Sequence, residues 1–185
     1  MQLRKTLADF SLAALALLLL SSLTLTLRAQ PELQANVKVP KLIACDDPNL
    51  FLAPYVWKRL QTNSTVHFEA TMPGAYIKTG VQGTETIGIV IDGTANNGHP
   101  ASSMPTVEFS VDEGDFKTIQ LSPIGEVYTL ALVKGLNAKV PHRLDFYFRA
   151  ANLVQKRWRS STAHLRIAGL ALDENGSLVR CNIDF

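Results

Sequence analysis

Four histidines, His67, His99, His142 and His164, and a tight set of carboxylates, Asp112, Glu113 and Asp115, are the side chains best suited to acid–base chemistry in this chain. Acyl transfer would need one of the histidines within reach of a nucleophile on a strained turn, with donors aimed at the developing oxyanion. The sequence has neither a G-x-S-x-G elbow nor a Gly-Asp-Ser block opening an α/β unit. The histidines stand apart, and Ser102 and Ser122 lie in proline-containing loops where a turn role accounts for them. His67 alternates with Phe68 and Ala70, and His164 with Ala163 and Leu165, so both imidazoles are expected on outer strand faces as exposed side chains. His99, in the loop Gly98-His99-Pro100, is the most accessible histidine on this reading and is kept as a ligand-binding candidate. An enzyme with a non-standard site would have to use His99 or His142 with an acidic neighbour.

Asp112, Glu113 and Asp115 are spaced as a solvated hairpin tip, not as two acids facing each other across a cleft of about 5–10 Å. A calcium loop needs a longer ligand series. Cys45 and Cys181 have no histidine at zinc-ligand spacing. In an oxidising compartment they can pair as a disulfide; otherwise they stand as two free thiols. No residue set calls for a metal or other cofactor.

The aromatic candidates are Tyr55, Trp57, Tyr76 and Trp158. An exported β-sandwich can stack sugar rings on exposed aromatics, and Trp158, Tyr76 and Trp57 are the residues such a carbohydrate-binding module would use. The competing reading is packing at the sandwich core or edge, with an indole N–H satisfied by a carbonyl. Around Trp158, the run Lys156-Arg157-Trp158-Arg159 also suits a solvated edge whose charge blunts strand pairing.

The elements that would position these groups are strands. Thr106 to Val111 places Val107, Phe109 and Val111 on one face, and Arg143 to Arg149 places Leu144, Phe146 and Phe148 on one face, the period-2 signature of half-buried strands. Turn signals fall between such runs at Asp92-Gly93, Asn96-Asn97-Gly98, Asp112 to Asp115, Lys134 to Asn137 and Asn175-Gly176. The Asp112-Glu-Gly-Asp115 loop is expected to use its glycine at positive φ. Beyond the N-terminal segment no stretch carries helical periodicity for more than two turns, except Asn49 to Leu60, where Pro54 argues against a helix. The chain therefore reads as all-β, an antiparallel sandwich over residues 42–181 with a short tail at 182–185.

Residues 1–29 read as an export signal: Arg4 and Lys5 precede the Leu/Ala run from Leu12 to Leu20, and Ala29 supplies a small residue before Gln30. The alternative is an uncleaved anchor over residues 10–27, about 18 mostly apolar residues and at the lower limit for a bilayer span. Either way the remainder is expected to be exported, secreted or periplasmic, with a leader or linker over residues 30–41. Removing residues 1–29 takes away Arg4, Lys5, Arg28 and Asp9 and leaves about 15 basic and 15 acidic residues. That balance excludes the basic excess of a nucleic-acid binder, and membrane contact is expected only through an uncleaved N-terminal segment.

Four stretches, Pro54 to Leu60, Glu69 to Lys78, Val90 to Asn96, and Arg157-Trp-Arg159 followed by His164 to Asp173, together resemble the N-terminal jelly-roll-like domain of family 2 carbohydrate esterases and related SGNH/GDSL hydrolases. The resemblance covers roughly Leu42 to Cys181. In that family the catalytic serine, histidine and acid belong to a following α/β domain that opens with Gly-Asp-Ser, so it implies no catalytic residue here. What it implies is a non-catalytic accessory domain whose partner is an SGNH-type catalytic half, present as a missing part of the same gene product or as a separate chain. A stand-alone carbohydrate-binding module, with polysaccharide as partner, is the alternative.

Overall fold

The computed structural model describes residues 40–53, 56–62, 65–150 and 163–180. Twelve strands follow one another among them: β1 (Lys41–Ala44), β2 (Phe51–Leu52), β3 (Lys58–Thr62), β4 (Thr65–Ala70), β5 (Tyr76–Gln82), β6 (Thr86–Asp92), β7 (Thr106–Val111), β8 (Lys117–Gln120), β9 (Val127–Lys134), β10 (His142–Ala150), β11 (Leu165–Leu172) and β12 (Ser177–Val179). Two one-turn 3-10 helices, Gly93–Asn96 and Ala101–Ser103, separate β6 from β7. Every strand pair is antiparallel.

The strands form two six-stranded sheets. In the first, the order is β3-β4-β11-β6-β9, with β1 pairing the second half of β11 beside β4. In the second, it is β12-β5-β10-β7-β8, with β2 pairing β5 beside β12. The sheets pack face to face, as the alternating sequence requires: each has one apolar face that must leave water. Ile87, Ile89 and Ile91 of β6 and Leu130 of β9 close the core from one side, and Ile77 of β5, Val107 of β7 and Leu144, Phe146 and Phe148 of β10 close it from the other.

The alternation breaks once in a way the sheet explains. In β11, Leu165 and Ile167 are buried at odd positions, whereas Leu170 and Leu172 are buried at even ones. Between them the register against β6 shifts, from Ile167 opposite Ile91 to Gly169 opposite Val90. This bulge inserts one residue and returns the apolar side chains to the core face. Gly169 is required there: its φ is +156°, and a Cβ would run into the Ile43 carbonyl oxygen of β1.

The β7–β8 hairpin departs from expectation. The turn closes with Gly114 N–H donating to Val111 O at 3.0 Å, but the residues at positive φ are Asp112 (+53°) and Glu113 (+59°), not Gly114. Side-chain bonds from both acids to β10 hold this left-handed pair, which a glycine could not do.

Candidate functional site

On β5 and β10 the residues between the core positions point away from the core. Tyr76 and Lys78 alternate with buried Ile77, and Arg143, Asp145 and Tyr147 alternate with buried Leu144, Phe146 and Phe148. The register sets Tyr147 directly opposite Tyr76, bringing their ring centroids to 5.7 Å with planes tilted by 39°. β2 extends the row at one end, since Phe51 pairs with Lys78 and places its ring 6.0 Å from Tyr76 at 32°. Phe116, entering β8, closes the other end with an edge contact of 5.6 Å on Tyr147. Four rings from four separate segments thus cross one sheet face.

Charged side chains border the row in ion pairs. Lys78 Nζ lies 5.5 Å from the Tyr76 ring centroid, the range of a cation–π contact, and 3.9 Å from Asp145 Oδ1. Arg143 reaches Asp145 through Nε at 3.0 Å and Glu113 through Nη1 at 2.9 Å. Arg149 Nε lies 3.2 Å from Glu108 Oε1, which also accepts from the Thr118 hydroxyl.

Of the aromatics singled out in the sequence, Tyr76 is inside this row. Trp57 is half-buried and donates its indole N–H to the Tyr76 carbonyl at 3.1 Å, so it braces β5 through its polar edge. Trp158 lies outside the described residues. Phe51, Tyr147 and Phe116 are absent from the sequence-derived candidates, because a cross-strand row becomes visible only once the register is known. His99 is half-buried in the turn after Asn96, whose carbonyl accepts its backbone N–H. Cys45 is a buried free thiol whose Sγ lies 3.1 Å from the Val66 carbonyl; burial, reinforced by the nearby Asp46 charge, pushes its pKa to about 11. Cys181 lies outside the described residues.

The acid–base groups gather elsewhere. Cross-strand neighbours Glu69 and Arg166 form a short pair, Arg166 Nη2 to Glu69 Oε2 at 2.6 Å, and Arg166 Nη1 also donates to Asp92 Oδ2 at 3.2 Å. His164 Nδ1 is 3.0 Å from Glu69 Oε2 and His67 Nδ1 is 3.6 Å from Asp92 Oδ2. The expectation of exposed histidines is therefore corrected: His67 is 8% exposed and His164 half-buried, because both pack into this charged corner. Burial raises the Glu69 carboxyl, but the Arg166 hydrogen bond and the His164 charge outweigh it and leave the pKa below the usual range. Asp92 is likewise raised by burial and then lowered further by bonds from Thr94 and Arg166. Asn96 ties the corner down, with Nδ2 donating to the His164 carbonyl and Oδ1 accepting its N–H, each at 2.7 Å. Gly93 is obligatory beside it, because a Cβ would strike the Ile124 carbonyl oxygen. Stretches around Glu69, Asp92 and His164 that stand out in the sequence thus meet in one structural corner.

His142 does have an acidic neighbour, Asp112, at 2.6 Å from Nδ1, while Nε2 faces the Asn137 carbonyl at 3.0 Å. The ring nitrogens located by this geometry, His67 Nδ1, His164 Nδ1 and both nitrogens of His142, face carboxylates and a carbonyl. Among the described residues no three His, Cys, Asp or Glu side chains converge on a point where an ion would sit.

No family model matches the chain, and no curated protein matches it. Solved structures do. A family two carbohydrate esterase from Cellvibrio japonicus matches at a TM-score of 0.53 and 17% identity, over 77% of this chain and 36% of that one. An acetyl xylan esterase from the rumen bacterium Butyrivibrio proteoclasticus matches at 0.54 and 15%, over 73% and 31%. A family two carbohydrate esterase from Clostridium thermocellum, in complex with cellohexaose, matches at 0.50 and 14%, over 72% and 34%. This chain spans about a third of the length of those esterases. At these identities the shared property is the fold.

Proposed function

We propose that this chain is an exported, non-catalytic β-sandwich that supports or orients an SGNH-type esterase half, in the same polypeptide or a separate one. The observation that carries the reading is the fold likeness, which occupies 31–36% of each esterase chain named above and leaves the larger part of each for other work. In His142 the two ring nitrogens face a carboxylate and a carbonyl, so neither is directed at a hydroxyl or thiol. Export rests on the N-terminal pattern of Arg4, Lys5 and the Leu-rich run, and mass spectrometry of exported material should find a chain beginning near Gln30.

Mixing the chain with a separately produced family two esterase catalytic domain tests the partnership. A stable complex, with a higher midpoint of thermal unfolding for the catalytic domain, is expected. No complex at micromolar concentrations, with an unchanged midpoint, overturns it.

A further inference from the structure

We infer that the aromatic row Phe51–Tyr76–Tyr147–Phe116 is a binding face for a neutral, β-linked oligosaccharide. Three successive ring spacings of 6.0, 5.7 and 5.6 Å make a strip, not an isolated side chain. Successive rings among the first three are tilted by 32° and 39°. Pyranoses with equatorial hydroxyls present flat C–H faces, which pack on aromatic rings through the same dispersion and quadrupole attraction that operates between side chains.

Charge selects among possible ligands. The cations Lys78, Arg143 and Arg149 are each paired with an anion of the same face, Asp145, Glu113 or Glu108. Among the described residues this border is neutral in sum and offers donors and acceptors to hydroxyls, whereas a phosphate, an acidic glycan or an acidic peptide calls for an excess of cations. The apolar area is also small for a protein partner. Phe116, at 55% exposure, is the one mostly exposed large apolar side chain of this row, whereas a stable protein interface buries about 800 Å² on each side. The inference stands apart from the proposed partnership, because it is tested on the chain alone.

Calorimetric titration of the chain with cellohexaose and with xylohexaose should show saturable binding that is insensitive to added NaCl. Tyr147→Ala should weaken it by at least about tenfold. Phe116→Ala should weaken it as well, and this variant removes a largely exposed ring, so its fold is not at stake. Val127→Ala, at an exposed position on the other sheet, should leave binding unchanged. The proposal is overturned if neither oligosaccharide binds, if folded Phe116→Ala and Tyr147→Ala variants both bind as the parent does, or if Val127→Ala weakens binding equally. It is also overturned if Phe116→Ala abolishes a concentration-dependent self-association, which would make this face a contact between copies.

Discussion

His142 Nδ1 lies 2.6 Å from Asp112 Oδ2, and through this contact the start of β10 holds a turn that its own residues would not choose. Asp112 and Glu113 both sit in the left-handed region, which costs non-glycine residues about 1–3 kcal/mol each. Offsetting bonds are present: Asp112 Oδ1 accepts the Arg143 N–H at 2.8 Å, and Glu113 Oε1 lies 2.9 Å from Arg143 Nη1.

This pair predicts a pH window. The hydrogen bond to Asp112, opposed by burial and aided by the Asn137 carbonyl, raises the His142 pKa; burial raises that of Asp112, but bonds from His142 and the Arg143 backbone lower it overall. A raised histidine contributes stability fully below its unfolded value of about 6.5 and loses it as pH climbs through the folded value. A lowered carboxylate contributes above its unfolded value of about 3.9 and loses it as pH falls through the folded value. The difference in melting temperature between the parent and His142→Gln should therefore be widest between about pH 4 and 6.5 and shrink by pH 9. Asp112 is half exposed, so screening limits the effect to about 1 kcal/mol. A gap that stays constant with pH would contradict the assignment.

The corner built on Arg166 predicts non-additivity. Arg166→Met strands Glu69 and Asp92, both with side chains only 9% exposed, and should destabilise the fold by about 3 kcal/mol in urea unfolding at pH 7. Adding Glu69→Gln and Asp92→Asn to Arg166→Met should recover much of that loss. Because both carboxyls are held below their usual values, the penalty should also shrink as pH falls through the carboxylate range. Additive losses in the triple variant would show that the three residues do not act as one unit.

Much of the sandwich is legible in the sequence. Val107, Phe109 and Val111, and Leu144, Phe146 and Phe148, announce β7 and β10 by alternation alone. β11 is harder, because Ala168-Gly169 breaks its alternation and the reason is the Ile43 carbonyl of a strand more than a hundred residues away. The β7–β8 turn is misread for a similar cause: a local rule points to Gly114, whereas tertiary bonds to β10 settle positive φ on Asp112 and Glu113. Tyr147 belongs to a stretch read for its core face, and its partner Tyr76 is named on its own; only register joins them.

Gly169 gives a third prediction. Gly169→Ala forces a Cβ against Ile43 O and the Leu42 side chain and should cost at least about 1–3 kcal/mol, measured by urea unfolding. A neutral effect would mean that β1 does not pair with the bulge.

Cys45 gives a fourth. Burial and a pKa near 11 make the thiolate scarce, so Ellman's reagent should react negligibly with Cys45 in the native protein and fully once the unreduced chain is unfolded in urea. Absence of any thiol from the unfolded, unreduced protein would instead establish pairing with Cys181.

The most direct test of the central claim is hydrolysis by the purified chain alone, with p-nitrophenyl acetate and acetylated xylan as substrates. The geometry around His67, His142 and His164, where the ring nitrogens named above face carboxylates and a carbonyl, predicts a rate no higher than buffer. Turnover well above buffer that disappears when one serine is changed to alanine would contradict it, and would make this sandwich an enzyme in its own right.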